Sequence, residues 1–385
     1  MVYLDNNATT PIDPAVAEKM TWFMKDHFGN PSSLYPIGRQ VKEIINEARD
    51  HVALALGANK SEIYFTGSGT ESDNHAVLGA LDAQPDKKDF VTSAIEHPAV
   101  RETAIYLERK GYHVSYVPVD RTGLIDLDAL RSVVTSRTAL VSVMHANNEI
   151  GTIQPIADVV RIAKDHGALV HTDAVQTFGK IGFRADELGV DLLSVSSHKI
   201  YGPKGVGALY VRRGTDIRPF LHGGHQERGL RAGTENTIGI VGFGEAARIL
   251  PEKMKIDAPR IERLAERLRT GIVERIPKAR LNGHPERRVK STLNFSFLGL
   301  EAEAVLLALA TKEIFVSTGS ACSEESEEVS HVLLAIGLRP DIARSTVRMS
   351  LGRFNSDRDV DIVLKELPEV VAKLRKISAF DPVDD

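Results

Sequence analysis

The chain has 385 residues, of which 42% are hydrophobic and 26% are charged, the balance of an ordinary globular protein. Its 48 Lys and Arg residues against 52 Asp and Glu residues leave a net charge of −4, which gives no electrostatic reason to expect nucleic acid or a membrane as partner. A single cysteine excludes a disulfide scaffold, and the N-terminus lacks the basic and apolar regions of a signal peptide, so we expect a cytoplasmic protein.

Short apolar runs alternate with amphipathic stretches from about residue 61 to residue 211. Buried strands are predicted by four runs rich in Val, Ile or Leu: Asp89–Ile95, Thr138–Met144, Ala168–Thr172 and Asp191–Val195. A helix is predicted over Pro155–His166. This alternation is typical of an α/β fold with a mostly parallel sheet, in which ligands bind beyond the carboxyl ends of the strands.

A boundary is expected near Pro251–Pro259, where two prolines and several lysines interrupt the pattern. After it, the apolar stripe that begins at Ile261 predicts a helix of about four turns. A last helix is predicted to begin after Ser356, which with Asp359 has the form of an N-terminal capping box. The C-terminal third therefore predicts a smaller α+β domain.

Asp173 and Lys199 each follow a predicted strand, 26 positions apart. This arrangement suits a pyridoxal phosphate enzyme, in which a lysine forms an imine with the cofactor aldehyde and a carboxylate keeps the pyridine nitrogen protonated. The alternative is that Lys199 is a solvated loop lysine, and the spacing alone does not separate the two.

Gly67–Ser72 follows an apolar run and precedes a helix-like stretch, so its free backbone amides suit a phosphate. Ser72 replaces the last glycine of a dinucleotide fingerprint, which disfavours a nicotinamide cofactor. A simple tight turn is the remaining alternative.

Three further residue types are candidates for chemistry. Cys322 is flanked by small residues that favour an exposed loop, although the acidic residues after it would raise the pKa of its thiol. His97 follows a strand and suits stacking or proton transfer, whereas for His225 we expect a core or capping role. Arg348 has the planar fork that binds a carboxylate.

Taken together, the motifs resemble the cysteine desulfurases of the class V aminotransferase group, nearly from end to end. The segments that carry the resemblance are 3–11, 29–33, 70–72, 96–98, 147–151, 171–176, 196–199, 231–236, 317–322 and 348–353. The small residues around Cys322 resemble the branch whose nucleophile lies on a long mobile loop. The resemblance implies fold type I of the pyridoxal phosphate enzymes.

The resemblance also implies a role for each matching position. Lys199 would bind the cofactor and move the Cα proton, with Cys322 as nucleophile and His97 stacked on the ring. Asp173 would pair with the ring nitrogen and Gln176 with the phenolic oxygen. The phosphate would be bound by Gly69, Thr70, Ser196, His198 and, from the neighbouring subunit of a homodimer, Thr234. Asn148 would contact cofactor and substrate, and Arg348 the substrate carboxylate.

These roles imply an enzyme that converts L-cysteine to L-alanine and leaves the sulfur on Cys322 as a persulfide. The expected partner is an iron–sulfur scaffold or another sulfur acceptor, with general iron–sulfur assembly, nitrogenase maturation and tRNA thiolation left open. No intrinsic metal is expected, and Cys322 would at most ligate a cluster transiently. We expect a large domain over residues 15–255 and a small domain over residues 1–14 and 256–385.

Three other functions compete with this one. An aminotransferase or β-lyase would leave Cys322 without a role, and a scaffold subunit would have no need of Lys199, Asp173 and Cys322 together. A nicotinamide dehydrogenase is disfavoured by Ser72.

Overall fold

The structure of the protein is a computed structural model that describes residues 1–318 and 329–378. Cys322 lies outside the described residues, as do the acidic positions that follow it. The predicted strands and helices all fall in the described part of the chain.

Helices and strands alternate through most of the chain. The strands are β1 (Val2–Tyr3), β2 (Ile63–Thr66), β3 (Asp89–Ser93), β4 (His113–Val117), β5 (Thr138–Ser142), β6 (Leu169–Asp173), β7 (Leu192–Ser196), β8 (Gly207–Val211), β9 (Ala279–Leu281), β10 (Thr292–Phe297), β11 (Ile314–Phe315) and β12 (Thr346–Ser350). The α-helices are α1 (Pro14–Asp26), α2 (Pro36–Leu56), α3 (Gly69–Asp82), α4 (Pro98–Arg109), α5 (Leu127–Val133), α6 (Ile156–Asp165), α7 (Ala185–Leu188), α8 (Thr237–Arg275), α9 (Ala302–Ala310), α10 (His331–Ala335), α11 (Pro340–Arg344) and α12 (Asp357–Ile377).

The main sheet of the described residues has seven strands in the order β2-β8-β7-β6-β5-β3-β4. Neighbouring strands of this sheet are parallel, except that β8 pairs antiparallel with both β2 and β7. The strands β3, β5, β6 and β7 are the four predicted from the sequence, and the predicted mostly parallel α/β sheet is confirmed. Because β2 runs in the same direction as β7, the carboxyl ends of β2, β3, β5, β6 and β7 all meet at one edge.

A buried apolar cluster covers each face of the main sheet. One cluster contains residues of α1, α2, α6 and the first half of α8, and the other contains residues of α3 and α4. Helix α3 begins directly after β2 because Ser68 caps it, accepting a hydrogen bond from the Glu71 amide at 3.1 Å. The helix therefore starts at the edge where the strands end.

The helix of about four turns expected after Pro251–Pro259 is wrong in its extent, because α8 is one helix of 39 residues that contains both prolines. Each proline removes one backbone donor, but the helix is packed along both halves. Residues up to Met254 pack in the main-sheet core, and residues from Ile261 pack in a second core. The change of core thus falls where the prolines are, although the helix does not end there.

The second core surrounds a three-stranded antiparallel sheet in the order β12-β10-β9. Helix α12 packs in it, and its predicted capping box is present, since the Ser356 amide donates to Asp359 at 2.9 Å. The N-terminal residues Val2 and Leu4 are buried in the same core, and β1 pairs with β11. Among the helices of the described residues, none is long and apolar enough to cross a membrane.

Candidate active site

The site lies at the edge of the main sheet where the carboxyl ends of its parallel strands meet. The sequence-predicted residues of the large sheet are all placed there: Gly69 and Thr70 after β2, His97 after β3, Asn148 after β5, Asp173 and Gln176 at β6, and Ser196, His198 and Lys199 at β7. Neighbouring parallel strands thus bring together residues that are far apart in the chain.

Lys199 is half-buried, and its amine is held by the N-terminal segment of the chain. Its Nζ donates to the backbone carbonyls of Asn7 and, at 2.7 Å, of Ala8. The side chain is therefore fixed inside the site, which contradicts the alternative of a solvated loop lysine.

Asp173 is the last residue of β6, and its carboxyl is buried. Burial raises the pKa of Asp173 to about 6, while the hydrogen bond from the Val175 amide (2.8 Å) and the nearby charge of Lys199 oppose the rise. A cationic group that entered the site beside Asp173 would therefore stabilise the carboxylate.

His97 caps α4, and its Nδ1 accepts a hydrogen bond from the Ala99 amide at 3.1 Å. Burial, together with the charges of Lys199 and His331, lowers the pKa of His97 to about 4. The imidazole is therefore neutral near pH 7, and a neutral ring is suited to stack on a flat ligand. His97 and Thr70 line one open cleft.

The N-terminus of α3 lies directly against the end of β7. A Cβ on Gly69 would stand 2.9 Å from Val175 Cγ2 and 3.4 Å from Ser196 Cβ, so only glycine lets the helix approach so closely. The amides of Gly69 and Thr70 are the first two of the helix and have no acceptor within it. They can therefore bind an anion beside the Ser196 hydroxyl.

His198 is anchored to the N-terminal segment next to this anion position. Its Nδ1 lies 3.1 Å from Thr9 Oγ1, and its backbone carbonyl accepts from the Thr10 hydroxyl at 2.9 Å. Burial, with Lys199 as the largest charge contribution, lowers the pKa of His198 to about 4.

Arg348, in β12, comes from the smaller sheet and is 2% exposed. It donates to Asp5 Oδ1 at 2.7 Å and to the Asn148 carbonyl at 3.1 Å. The smaller sheet, the N-terminal segment and the end of β5 therefore meet at this guanidinium.

Two sequence-predicted residues are not placed with the others. Thr234 is exposed, and its assignment to a neighbouring subunit's site stays a prediction. Cys322 lies outside the described residues. The expected core or capping role of His225 is wrong, because its side chain is exposed and makes no capping hydrogen bond within residues 1–318 and 329–378.

Sequence reasoning missed the groups that surround the predicted residues. The backbone carbonyl of Asn7 accepts a hydrogen bond from Lys199, and a pattern of side chains cannot predict such a contact. Segment 3–11, which contains Asn7, nevertheless carried part of the resemblance. Lys180 was passed over because a lysine in a loop is usually solvated, yet burial, with the charge of Lys199 next in size, lowers its pKa well below the usual value.

Buried carboxyls form the floor of the site. Burial raises the pKa of Asp73 well above its usual value and that of Glu96 to about 8. Atoms of Asp73, His97 and Asp173 lie within 4.8 Å of one another, the one group in the described ranges with three donors of a kind that binds metal ions. The ammonium of Lys199 acts on both His97 and Asp173, so this cluster already faces a positive charge.

Comparison with known proteins gives consistent matches over almost the whole chain. The family model described as "Aminotransferase class-V" matches residues 2–363. A cysteine desulfurase IscS of Methanosarcina thermophila is 49% identical over 99% of this chain and 94% of its own. A solved NifS-like protein is 42% identical, covers 97% of this chain and 100% of its own, and has a TM-score of 0.91. A structure described as "SspA in complex with cysteine" is 36% identical, with a TM-score of 0.81 over 92% of this chain and 100% of its own.

Proposed function

The chain belongs to the aminotransferase class-V family, and we infer that it is a pyridoxal-phosphate-dependent cysteine desulfurase that forms L-alanine from L-cysteine. The observation that carries this function is the convergence of Lys199, Asp173 and His97 at one edge of the sheet. The 49% identity with a cysteine desulfurase, over 99% of this chain, points to the same chemistry.

The described residues fit pyridoxal phosphate at both ends of the cofactor. At the ring end, an amine, a buried carboxyl and a neutral imidazole are close enough to interact electrostatically. At the phosphate end, the close approach that Gly69 permits leaves two amides and the Ser196 hydroxyl around one position. We propose that Gly69, Thr70, Ser196 and His198 bind the phosphate.

When bound, the cofactor would supply an electron sink for the carbon atoms of the substrate. Lys199 would hold it and move the proton at substrate Cα, because its amine lies at the sheet edge. Asp173 would face the ring nitrogen, and a cation there would restore the ionised form that burial disfavours. His97 would cover the ring, and Gln176 would donate to the phenolic oxygen.

Substrate recognition is assigned to Arg348 with Asn148. The guanidinium is buried and oriented before any ligand binds, since Asp5 and the Asn148 carbonyl already hold it. A planar fork of this kind binds a carboxylate with two parallel hydrogen bonds.

Sulfur transfer would use Cys322, the one cysteine in the sequence. Its thiolate attacks the substrate sulfur, and the bond between that sulfur and Cβ breaks with its electron pair remaining on Cβ. Cβ then takes up a proton and leaves in alanine, while Cys322 keeps the sulfur as a persulfide. No external oxidant or reductant is required, and covalent storage divides the transfer into two steps.

The assembly and the acceptor are finer proposals. We propose a homodimer in which Thr234 completes the neighbouring site, and an iron–sulfur scaffold or another sulfur acceptor as the partner. The division into a large domain (15–255) and a small domain (1–14 and 256–385) is supported by the two cores that α8 joins.

The test is a simultaneous assay of alanine and sulfide from L-cysteine, with purified protein, added cofactor and a reductant. Equal release of both products is expected. Pyruvate and ammonia instead would identify a β-lyase, and amino transfer that depends on a keto acid without sulfide would identify an aminotransferase. Either result would contradict the proposed function.

A further inference from the structure

Lys180 is a half-buried lysine beside the site, and the roles above leave it unused. It follows Gly179, which has a φ of +78° and at which an added Cβ would stand 2.6 Å from Ile200 Cγ2. Both the backbone conformation and the lack of space therefore require glycine there. Lys180 and Lys199 line the same cavity.

The amine of Lys180 donates to two amide side chains. Its Nζ lies 2.7 Å from Gln176 Oε1 and 2.7 Å from Asn7 Oδ1. Both residues are buried, so each of these oxygens depends on a protein donor rather than on bulk water.

The orientation of both amides is fixed independently by backbone carbonyls. Gln176 Nε2 donates to the Asn7 carbonyl at 3.0 Å, and Asn7 Nδ2 donates to the Asn148 carbonyl at 3.0 Å. Since a carbonyl only accepts, the NH2 group of each amide must be at that end. Both amide oxygens must then face Lys180, which supplies the donors.

The same network reaches Lys199. The Asn7 carbonyl that accepts from Gln176 also accepts from Lys199 Nζ. Asn7 therefore links Lys180 to Lys199, the amine proposed to hold the cofactor. Lys180 also contacts Gln176 directly, the amide proposed to face the phenolic oxygen.

We propose that Lys180 is a positioning residue of the desulfurase site, which holds Gln176 with its NH2 group toward the cofactor and holds Asn7 so that its carbonyl orients Lys199. This inference rests on the proposed function. It adds to that function a hydrogen-bond donor outside the ring pocket that acts only through other residues.

The experiment compares Lys180→Met with the wild type in the cofactor-loaded enzyme. The variant should shift the visible absorbance and circular dichroism of the bound cofactor before any substrate is added. It should also lower kcat about 10²-fold, the size expected for a small misplacement of reacting groups, while KM for L-cysteine changes little. Lys253→Met, an exposed lysine of α8, is the matched control and should change neither spectrum nor kcat.

A second variant and a double-mutant cycle separate positioning from folding. Lys180→Arg keeps donors for both amide oxygens and should restore the wild-type spectrum. The spectral shift of the double variant Lys180→Met, Gln176→Ala should be smaller than the sum of the shifts of the two single variants. A wild-type spectrum in Lys180→Met, or additive effects, would overturn this inference alone, whereas a wild-type chain that binds no cofactor would overturn the proposed function and this inference with it.

Discussion

Arg348 and Asp5 form a largely buried ion pair, with 2.7 Å between Nη2 and Oδ1, although they are 343 positions apart in the chain. The pair joins β12 of the smaller sheet to the N-terminal segment that also receives Lys199. The proposed carboxylate-binding group is therefore held in place by the same segment that orients the proposed catalytic amine.

Replacing Arg348 by Lys should raise KM for L-cysteine by about 10- to 100-fold, because the charge remains but the bidentate fork is lost. Steady-state kinetics measures this, with kcat expected to change less than KM. Arg344→Lys, at an exposed arginine of α11, is the control. An unchanged KM in Arg348→Lys would assign the substrate carboxylate to another group.

Replacing Lys199 by Ala should abolish covalent attachment of the cofactor, because Lys199 is the amine whose charge acts on Asp173, whereas the amine of Lys180 is held by Asn7 and Gln176. The measurement is mass spectrometry after borohydride reduction of the loaded protein, which fixes an imine permanently. Lys204→Ala, at an exposed lysine a few positions later, should behave as wild type. Attachment at wild-type level in Lys199→Ala would refute the assignment.

Replacing Gly69 by Ala should weaken the binding of pyridoxal phosphate about tenfold, because the added Cβ would push the helix start from Val175 and Ser196 and misplace the phosphate-binding amides. Binding of pyridoxal, which has no phosphate, should not change. Titration of the cofactor-free protein with both compounds measures the difference. Gly182→Ala is the control, since a Cβ there meets no atom within 4 Å among the described residues. Equal weakening for both compounds would place the phosphate elsewhere.

Replacing Cys322 by Ser should leave cofactor binding and its spectral response to L-cysteine intact and should abolish the protein persulfide. The sequence contains no second cysteine to take over the sulfur. Persulfide is measured by alkylation and mass spectrometry after a brief exposure to L-cysteine. Labelled sulfur on the variant protein at the wild-type rate would contradict the role of Cys322.

The parts of the structure that follow from local pattern could be predicted from the sequence. Apolar runs indicated the strands, and the polar residues after β6 and β7 indicated Asp173 and Lys199, because parallel strands end at a common edge. The contacts made by Asn7 and Lys180 could not be predicted this way, since the Lys199–Asn7 bond spans 192 positions and ends on a backbone carbonyl.

The prolines of α8 show that a strong local sequence signal can also predict a helix end that the structure does not have. Pro251 and Pro259 are signals for a helix end in a local reading, yet the helix continues because each half is packed in a different core. Tertiary packing outweighed the local signal there, while the change of core at the same place kept the predicted boundary close to a physical division.

Replacing Asp173 by Asn should stabilise the cofactor-free protein at pH 8, by about 3 kcal/mol at most, because burial raises the pKa of the carboxyl from 3.8 to about 6. The folded state binds this proton more tightly than the unfolded state, so the wild type gains stability as the pH falls. The gap between variant and wild type should therefore be full above pH 7, shrink as the pH falls through 6 and vanish below about pH 4.

Urea unfolding of both cofactor-free proteins at pH 8 and pH 5 measures this gap, with Asp86→Asn, at an exposed carboxyl, as the control. The same variant should lose desulfurase activity when loaded, because the amide cannot supply the negative charge that faces a protonated ring nitrogen. A gap of equal size at both pH values would mean that Asp173 titrates normally. The carboxylate that faces the ring nitrogen would then have to be sought among Asp73 and Glu96, whose pKa values burial also raises.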